Sequence, residues 1–61
     1  MNTEQYTQYC IYFIGNGYRI IKERLWATKT QAQALTEQFN KEDDFKHYYT
    51  VPREFYDLLS L

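Results

Sequence analysis

The stretch from Tyr9 to Ile21 constrains the fold more than any other part of this chain. Two runs of aromatic and β-branched residues, Tyr9–Ile14 and Tyr18–Ile21, flank the segment Gly15-Asn16-Gly17. Asn-Gly accepts the positive φ angles of a type I′ turn, so this pattern predicts a β-hairpin. We expect the first strand over residues 7–14 and the second over residues 18–26.

The first predicted strand is apolar on both of its faces, whereas a half-buried strand alternates between apolar and polar residues. Its two faces are Tyr9, Ile11 and Phe13 on one side, and Cys10, Tyr12 and Ile14 on the other. A chain of 61 residues has room for one good helix, which would cover one face. The second face then needs another cover.

The register of the hairpin has two solutions. A two-residue turn pairs Phe13 with Ile20, whereas a three-residue loop with a bulge pairs Tyr12 with Ile20 and Ile11 with Ile21. We favour the bulged loop because it groups four apolar residues on one face. That face comprises Ile11, Phe13, Ile21 and Leu25.

A helix is predicted over Lys29 to Asn40. Thr28 and Gln31 form a capping-box pattern at its start, and Thr30 with Gln33 offers an alternative frame. Its apolar stripe is Ala32, Leu35 and Phe39, with Ala34 and Gln31 beside it. We expect Asn40 to end the helix in a left-handed conformation.

The last third of the chain predicts one more strand and a short helix. Phe45–Val51 has strand composition and Pro52 stops it. Residues 52–59 favour a terminal helix with Pro52 at its first position. The fold class is therefore α+β, with element order ββαβ(α) and a three-stranded antiparallel sheet of order 2-1-3. We expect one domain over residues 1–61, frayed at residues 1–6.

Small domains need support beyond their core, usually disulfides, metals or oligomerisation. Cys10 is the only cysteine and His47 the only histidine, so one chain forms neither a disulfide nor an ordinary Cys/His zinc site. The predicted strands point Cys10 and His47 to opposite sides, against nucleophilic catalysis. We read Glu42-Asp43-Asp44 as a solvated loop. We expect no enzyme activity, cofactor, metal or small-molecule substrate.

The surplus apolar face favours association with a protein or with a second copy of the chain, since large apolar patches are rarely left in water. The predicted interface comprises Tyr12, Ile14, Tyr18, Ile20, Trp26 and Tyr48. The alternative is that Phe55 and Leu58 of the terminal helix fold back and complete an ordinary core.

Single-stranded nucleic acid is the second candidate partner. Aromatic rings on an open sheet can stack on bases, and Lys22, Arg24 and Lys46 supply positive charge. A net charge of −1 and a pI of about 5.7 disfavour this function. The absence of a long apolar run and of a basic leader, together with one free cysteine, predicts a cytoplasmic protein without a membrane span.

The chain resembles the short accessory proteins encoded by phages and prophages. The resemblance rests on size, acidic pI, aromatic richness and the layout around Tyr18–Ile21 and Ala27–Leu35. It implies a non-catalytic inhibitor that binds and blocks a host enzyme or defence complex. DNA mimics among anti-CRISPR proteins are much more acidic, so the resemblance implies occlusion through an aromatic surface.

Overall fold

The structure of the protein is a computed structural model, which describes residues 5–59. The predicted α+β layout and the strand order 2-1-3 are confirmed. The elements are β1 (Thr7–Gly15), β2 (Tyr18–Ala27), α1 (Lys29–Glu42), β3 (Tyr49–Pro52) and α2 (Arg53–Leu59). The predicted fraying of residues 1–4 lies outside the described residues, and residues 5 and 6 precede β1 without regular structure.

The hairpin closes with a two-residue turn. Asn16 has a φ of 55° and Gly17 a φ of 83°, as a type I′ turn requires, and Gly15 pairs with Tyr18. The favoured three-residue loop is therefore wrong, and Phe13 pairs with Ile20. The twist of a type I′ turn matches that of the strands it joins, so no extra residue is needed in the loop.

A β-bulge lies further along β2 instead. Ile11 pairs with Glu23 and Tyr12 pairs with Ile21, which leaves Lys22 as the extra residue. The bulge shifts the alternation of β2 by one position. The predicted apolar face is corrected accordingly, because Ile21 lies opposite Tyr12 and not beside Ile11.

The two sides of the sheet are covered by different helices. We call the side of Tyr9, Ile11 and Phe13 the first side, and α1 packs on it. The hydrophobic core between α1 and the first side contains Tyr9, Ala27 and Ala32, and Leu25 packs against them. Cys10 and Tyr12 point to the second side, which α2 covers.

Helix α1 begins as predicted and ends later. Thr28 accepts a hydrogen bond from the Gln31 N–H at 3.2 Å, and the Gln31 side chain accepts one from the Thr28 N–H at 3.1 Å. The prediction that Asn40 ends the helix is wrong, because Asn40 lies within α1 and Asp43 is its C-cap. Thr36, which the predicted stripe omitted, is buried and donates to the Ala32 carbonyl at 2.7 Å.

Strand β3 is shorter than predicted, because residues 45–48 are held by side chains instead of by a strand. Asp43 Oδ1 accepts hydrogen bonds from the backbone N–H groups of Phe45 at 2.9 Å and Lys46 at 3.1 Å. Pro52 is the last residue of β3, where it pairs with Tyr9, and not the first residue of the terminal helix.

Candidate functional site

Helix α2 is attached to the second side of the sheet along its whole length. Arg53 donates to Gln8 Oε1 at 3.0 Å at the start of the helix. The Tyr56 ring packs edge-on against Tyr12 with 5.3 Å between centroids. At the other end, Arg19 lies 5.8 Å from the centre of the Tyr56 ring and donates to the Leu59 carbonyl. These contacts fix the position of a helix that is too short to be stable alone.

The other apolar side chains of α2 remain in water. Phe55 is 53% exposed, Leu58 69% and Leu59 44%. A short surface helix ordinarily turns its apolar residues towards the core. The alternative in which Phe55 and Leu58 complete the core is therefore wrong: α2 covers the second side through Tyr56 and presents its other apolar residues outward.

Two exposed residues of the sheet flank α2 on the same side. Trp26 is 69% exposed and pairs with Gln8, the residue that Arg53 contacts at the start of α2. Ile14 is also exposed and pairs with Arg19, which contacts the end of α2. Residues paired directly across antiparallel strands point to the same side. We call this group the α2 surface: Ile14, Trp26, Phe55, Leu58 and Leu59.

The six residues of the predicted interface do not form one surface. Tyr12 and Tyr48 are buried, at 9% and 5% exposure, so the prediction of both as exposed contact residues is wrong in this conformation. Tyr12 stacks on Tyr49 at 5.4 Å, and Tyr48 packs against Phe13 at 5.6 Å. Their rings are occupied by neighbouring aromatics.

The remaining four predicted residues are exposed but divided between the two sides. Ile14 and Trp26 lie on the second side and belong to the α2 surface. Tyr18 and Ile20 lie on the first side, because they pair with Gly15 and Phe13. Two features cause this division: the two-residue turn places Tyr18 and Ile20 on the side away from Ile14, and the bulge brings Trp26 to the side of Ile14.

Of the three predicted nucleic-acid contacts, Lys22 and Lys46 lie on the first side of the sheet and Arg24 on the second. Lys22 lies 5.3 Å from the centre of the Phe39 ring, on the first side. Lys46 lies 5.2 Å from the centre of the Phe13 ring and 3.8 Å from Asp43 Oδ2. Arg24 pairs with Cys10 and so points to the second side. The structure does not assemble these cations into one groove.

The end of α1 and the following loop enclose an open cleft of about 350 Å³ on the first side. Its lining is Lys22, Phe39, Glu42, Asp43, Asp44, Phe45 and Tyr48. Phe45 on its rim is 98% exposed. Asp43 is occupied by structural hydrogen bonds, including one from the Tyr48 hydroxyl at 3.0 Å. The cleft is therefore a depression beside the loop of residues 43–48, and hydrogen bonds to Asp43 hold this loop in place.

Hydrogen bonding at this cleft shifts two pKa values in opposite directions. The Phe45 N–H makes the largest contribution to holding the pKa of the Asp43 carboxyl below its ordinary value, and this effect outweighs desolvation. Desolvation, followed by the hydrogen bond to Asp43, raises the pKa of the Tyr48 hydroxyl. Both shifts favour the Tyr48-to-Asp43 hydrogen bond with Asp43 ionised.

Cys10 and His47 lie in different environments. Cys10 is buried on the second side, opposite Val51, whereas His47 is exposed and packs on the Tyr49 ring at 4.8 Å. Within residues 5–59, no group of three or more His, Cys, Asp or Glu side chains is placed to hold a metal ion. No helix in the same range is long and apolar enough to cross a membrane.

Comparison of the chain with protein-family models, curated proteins and solved structures gave no match. The sequence predicts Ile14 and Trp26 as interface residues and leaves open whether Phe55 and Leu58 complete the core. Tyr56 determines which face of α2 packs on the sheet, because its ring contacts both Tyr12 and Arg19. Both contacts join residues that are distant in sequence, so no local pattern predicts them.

Proposed function

We propose that this protein is a small non-enzymatic protein-binding module and that its α2 surface contacts the partner. The observation that carries the proposal is the orientation of α2, which packs through Tyr56 and turns Phe55, Leu58 and Leu59 to solvent. Several exposed apolar side chains on one side of a small protein are typical of a protein interaction site. Trp26 adds a residue type that is enriched among interface hot spots.

The attachment of α2 supports recognition by a preformed surface. Arg53, Tyr56 and the Leu59 carbonyl each bind a side chain of the sheet. The outward residues of α2 therefore occupy fixed positions before a partner arrives. Preorganisation of this kind lowers the entropic cost of binding.

The mode of action that we propose is occlusion. The small size of the chain and its net charge of −1 agree with an inhibitor that covers part of a larger protein, such as a host enzyme or defence complex, without imitating DNA. The resemblance to phage-encoded accessory proteins supports the same mode. The buried ring of Tyr12 then acts as a support for α2 and does not contact the partner.

Retention of a partner on immobilised protein tests the proposal. Leu58→Ser and Trp26→Ser remove exposed apolar contacts and should each lower partner affinity by about tenfold or more, as hot-spot residues do. Gln38→Ser, on the exposed part of α1, is the matched control and should change nothing. If the wild-type protein retains nothing beyond what Leu58→Ser and Trp26→Ser retain, with all three folded by circular dichroism, the proposal is wrong.

The nucleic-acid alternative has its own readout. Binding to single-stranded DNA through Lys22, Arg24 and Lys46 would weaken steeply as salt rises, because bound counterions are released from the strand. Binding of a protein through the α2 surface should change little with salt. The separation of the three cations over both sides of the sheet favours the protein partner.

A further inference from the structure

The outer edge of β2 is a second association element, which shares only Trp26 with the α2 surface. β2 is an edge strand in the order β2-β1-β3 and has ten residues, Tyr18–Ala27. Its outer edge faces no further strand in the described part of the chain. An unpaired row of backbone donors and acceptors is a template for another strand unless the sequence protects it.

The bulge lies at the midpoint of β2. Five residues precede the boundary between Lys22 and Glu23, and five follow it. Consider a twofold axis that passes through this boundary and relates two antiparallel copies of β2. Residue 22 of one copy then faces residue 23 of the other, residue 21 faces residue 24, and so on outward to residues 18 and 27. All ten residues of each strand would then be paired.

Residues that pair directly across antiparallel strands must point to the same side of the sheet, and in this pairing they do so only because of the bulge. In a regular strand, residues whose numbers differ by an odd amount point to opposite sides, so this pairing would place mismatched sides together. The extra residue Lys22 shifts the alternation by one. Ile20 and Leu25 then share the first side, and Arg19 and Trp26 share the second.

The facing residues are also chemically complementary. Lys22 meets Glu23 of the second copy, and the twofold axis makes this charge pair occur twice. Ile20 meets Leu25, so an apolar pair flanks the centre on each side. Lys22, Glu23, Ile20 and Trp26 are all exposed in the single chain.

We propose that two copies of this chain associate by antiparallel pairing of their β2 strands, with the twofold axis between Lys22 and Glu23. The result is a continuous six-stranded sheet that leaves Ile14, Phe55, Leu58 and Leu59 of both α2 surfaces uncovered, whereas Trp26 lies at the new strand pairing. This inference goes beyond the proposed function, since it names a second copy as partner and depends on the backbone edge of β2.

One like-charge contact opposes the pairing. Arg19 has Arg24 of the second copy as its diagonal neighbour. Arg19, however, is directed towards α2, where it contacts the Tyr56 ring and the Leu59 carbonyl. The competing interpretation is that the bulge and the charges guard the β2 edge against pairing, as they do in many edge strands.

A charge-exchange experiment separates these interpretations. Lys22→Glu and Glu23→Lys each place like charges opposite each other at both symmetric positions, and each should raise the dissociation constant of the dimer by about tenfold or more. A mixture of the two variants restores opposite charges at both positions. Sedimentation should show wild-type dimers, weakened single variants and restored association in the mixture.

Disulfide formation tests the register. In a Cys10→Ala background, Ile21→Cys and Arg24→Cys should cross-link to each other and only weakly to themselves, because residue 21 faces residue 24 of the second copy. A wild-type protein that is monomeric at all concentrations overturns the dimer but leaves the α2 surface untouched. A dimer that ignores both charge variants but dissociates with Leu58→Ser overturns the β2 pairing and assigns self-association to the α2 surface.

Discussion

The side chain of Asn40 holds the backbone of Tyr48 at two points. Its Nδ2 donates to the Tyr48 carbonyl at 3.2 Å, and its Oδ1 accepts from the Tyr48 N–H at 2.6 Å. A carboxamide presents an NH₂ donor group and a carbonyl acceptor side by side, much as the backbone of a neighbouring strand does. Asn40 thus replaces a strand partner for Tyr48, just before β3 begins at Tyr49.

Replacement of Asn40 should destabilise the fold through loss of these two hydrogen bonds. Asn40→Ala leaves a part-buried N–H and carbonyl of Tyr48 without this partner, so we expect a loss of about 1–3 kcal/mol in the free energy of unfolding. Urea denaturation at neutral pH measures it. Gln38→Ala, an exposed position on the same helix, is the control and should stay within about 0.5 kcal/mol of wild type. Equal stability of both variants would show that Asn40 does not hold Tyr48.

Local signals account for the parts of the fold that the sequence predicted. The Asn16-Gly17 turn and the Thr28–Gln31 capping box depend on neighbours a few residues apart, and both form. The end of α1 and the start of β3 were misplaced because Asn40 binds a residue eight positions away. No periodicity in the chain carries that information.

Asp43 should make the free energy of unfolding depend on pH in the acidic range. Its pKa is lowered in the folded state, chiefly by the hydrogen bond from the Phe45 N–H. A group whose folded pKa is depressed contributes stability above its unfolded pKa, and loses that contribution as pH falls through the folded value. Asp43→Asn should therefore destabilise the protein near neutral pH, and this difference from wild type should shrink as the pH falls below about 4.

Urea denaturation of Asp43→Asn and wild type between pH 6 and pH 2.5 measures this convergence. Asp44→Asn is the matched control, because it removes the adjacent exposed carboxylate. A constant difference between wild type and Asp43→Asn across the whole range would mean that ionisation of Asp43 does not stabilise residues 45–48.

The hairpin turn offers a test of backbone strain. Gly17 has a φ of +83°, and a Cβ added there would meet no atom within 4 Å. Gly17→Ala should therefore cost about 1–2 kcal/mol of unfolding free energy through the backbone alone. Differential scanning calorimetry or urea denaturation measures the loss.

Gly15→Ala provides the comparison, because there the added Cβ is opposed by neighbouring side chains and not by a positive φ angle. A Cβ at Gly15 would lie 3.0 Å from Ile20 Cδ1 and 3.3 Å from Phe13 Cε2, so its tightest contact is with the Ile20 methyl. Removing that methyl with Ile20→Val should make Gly15→Ala better tolerated, whereas Ile20→Val should not rescue Gly17→Ala. Rescue of both substitutions would contradict the assignment of strain at Gly17 to its φ angle.

The candidate site was harder to predict than the fold, because it depends on which apolar residue of α2 packs inward. Phe55, Leu58 and Leu59 are as apolar as a core requires, and no local pattern excludes them from it. Tyr56 is selected by a distant ring, Tyr12, and by a distant cation, Arg19. The bulge at Lys22 similarly determines which β2 residues accompany α2.

Substitutions in α2 should separate its attachment from its outward surface. Tyr56→Ala removes the ring that packs on Tyr12 and should cost about 2 kcal/mol of unfolding free energy, with faster hydrogen exchange across α2. Tyr56→Phe retains the ring and should retain most of the stability. Leu58→Ala, at a position that is 69% exposed, should stay within about 0.5 kcal/mol of wild type. The reverse order, in which Leu58→Ala destabilises and Tyr56→Ala does not, would mean that α2 packs through Leu58, and the α2 surface would then not exist as an interface.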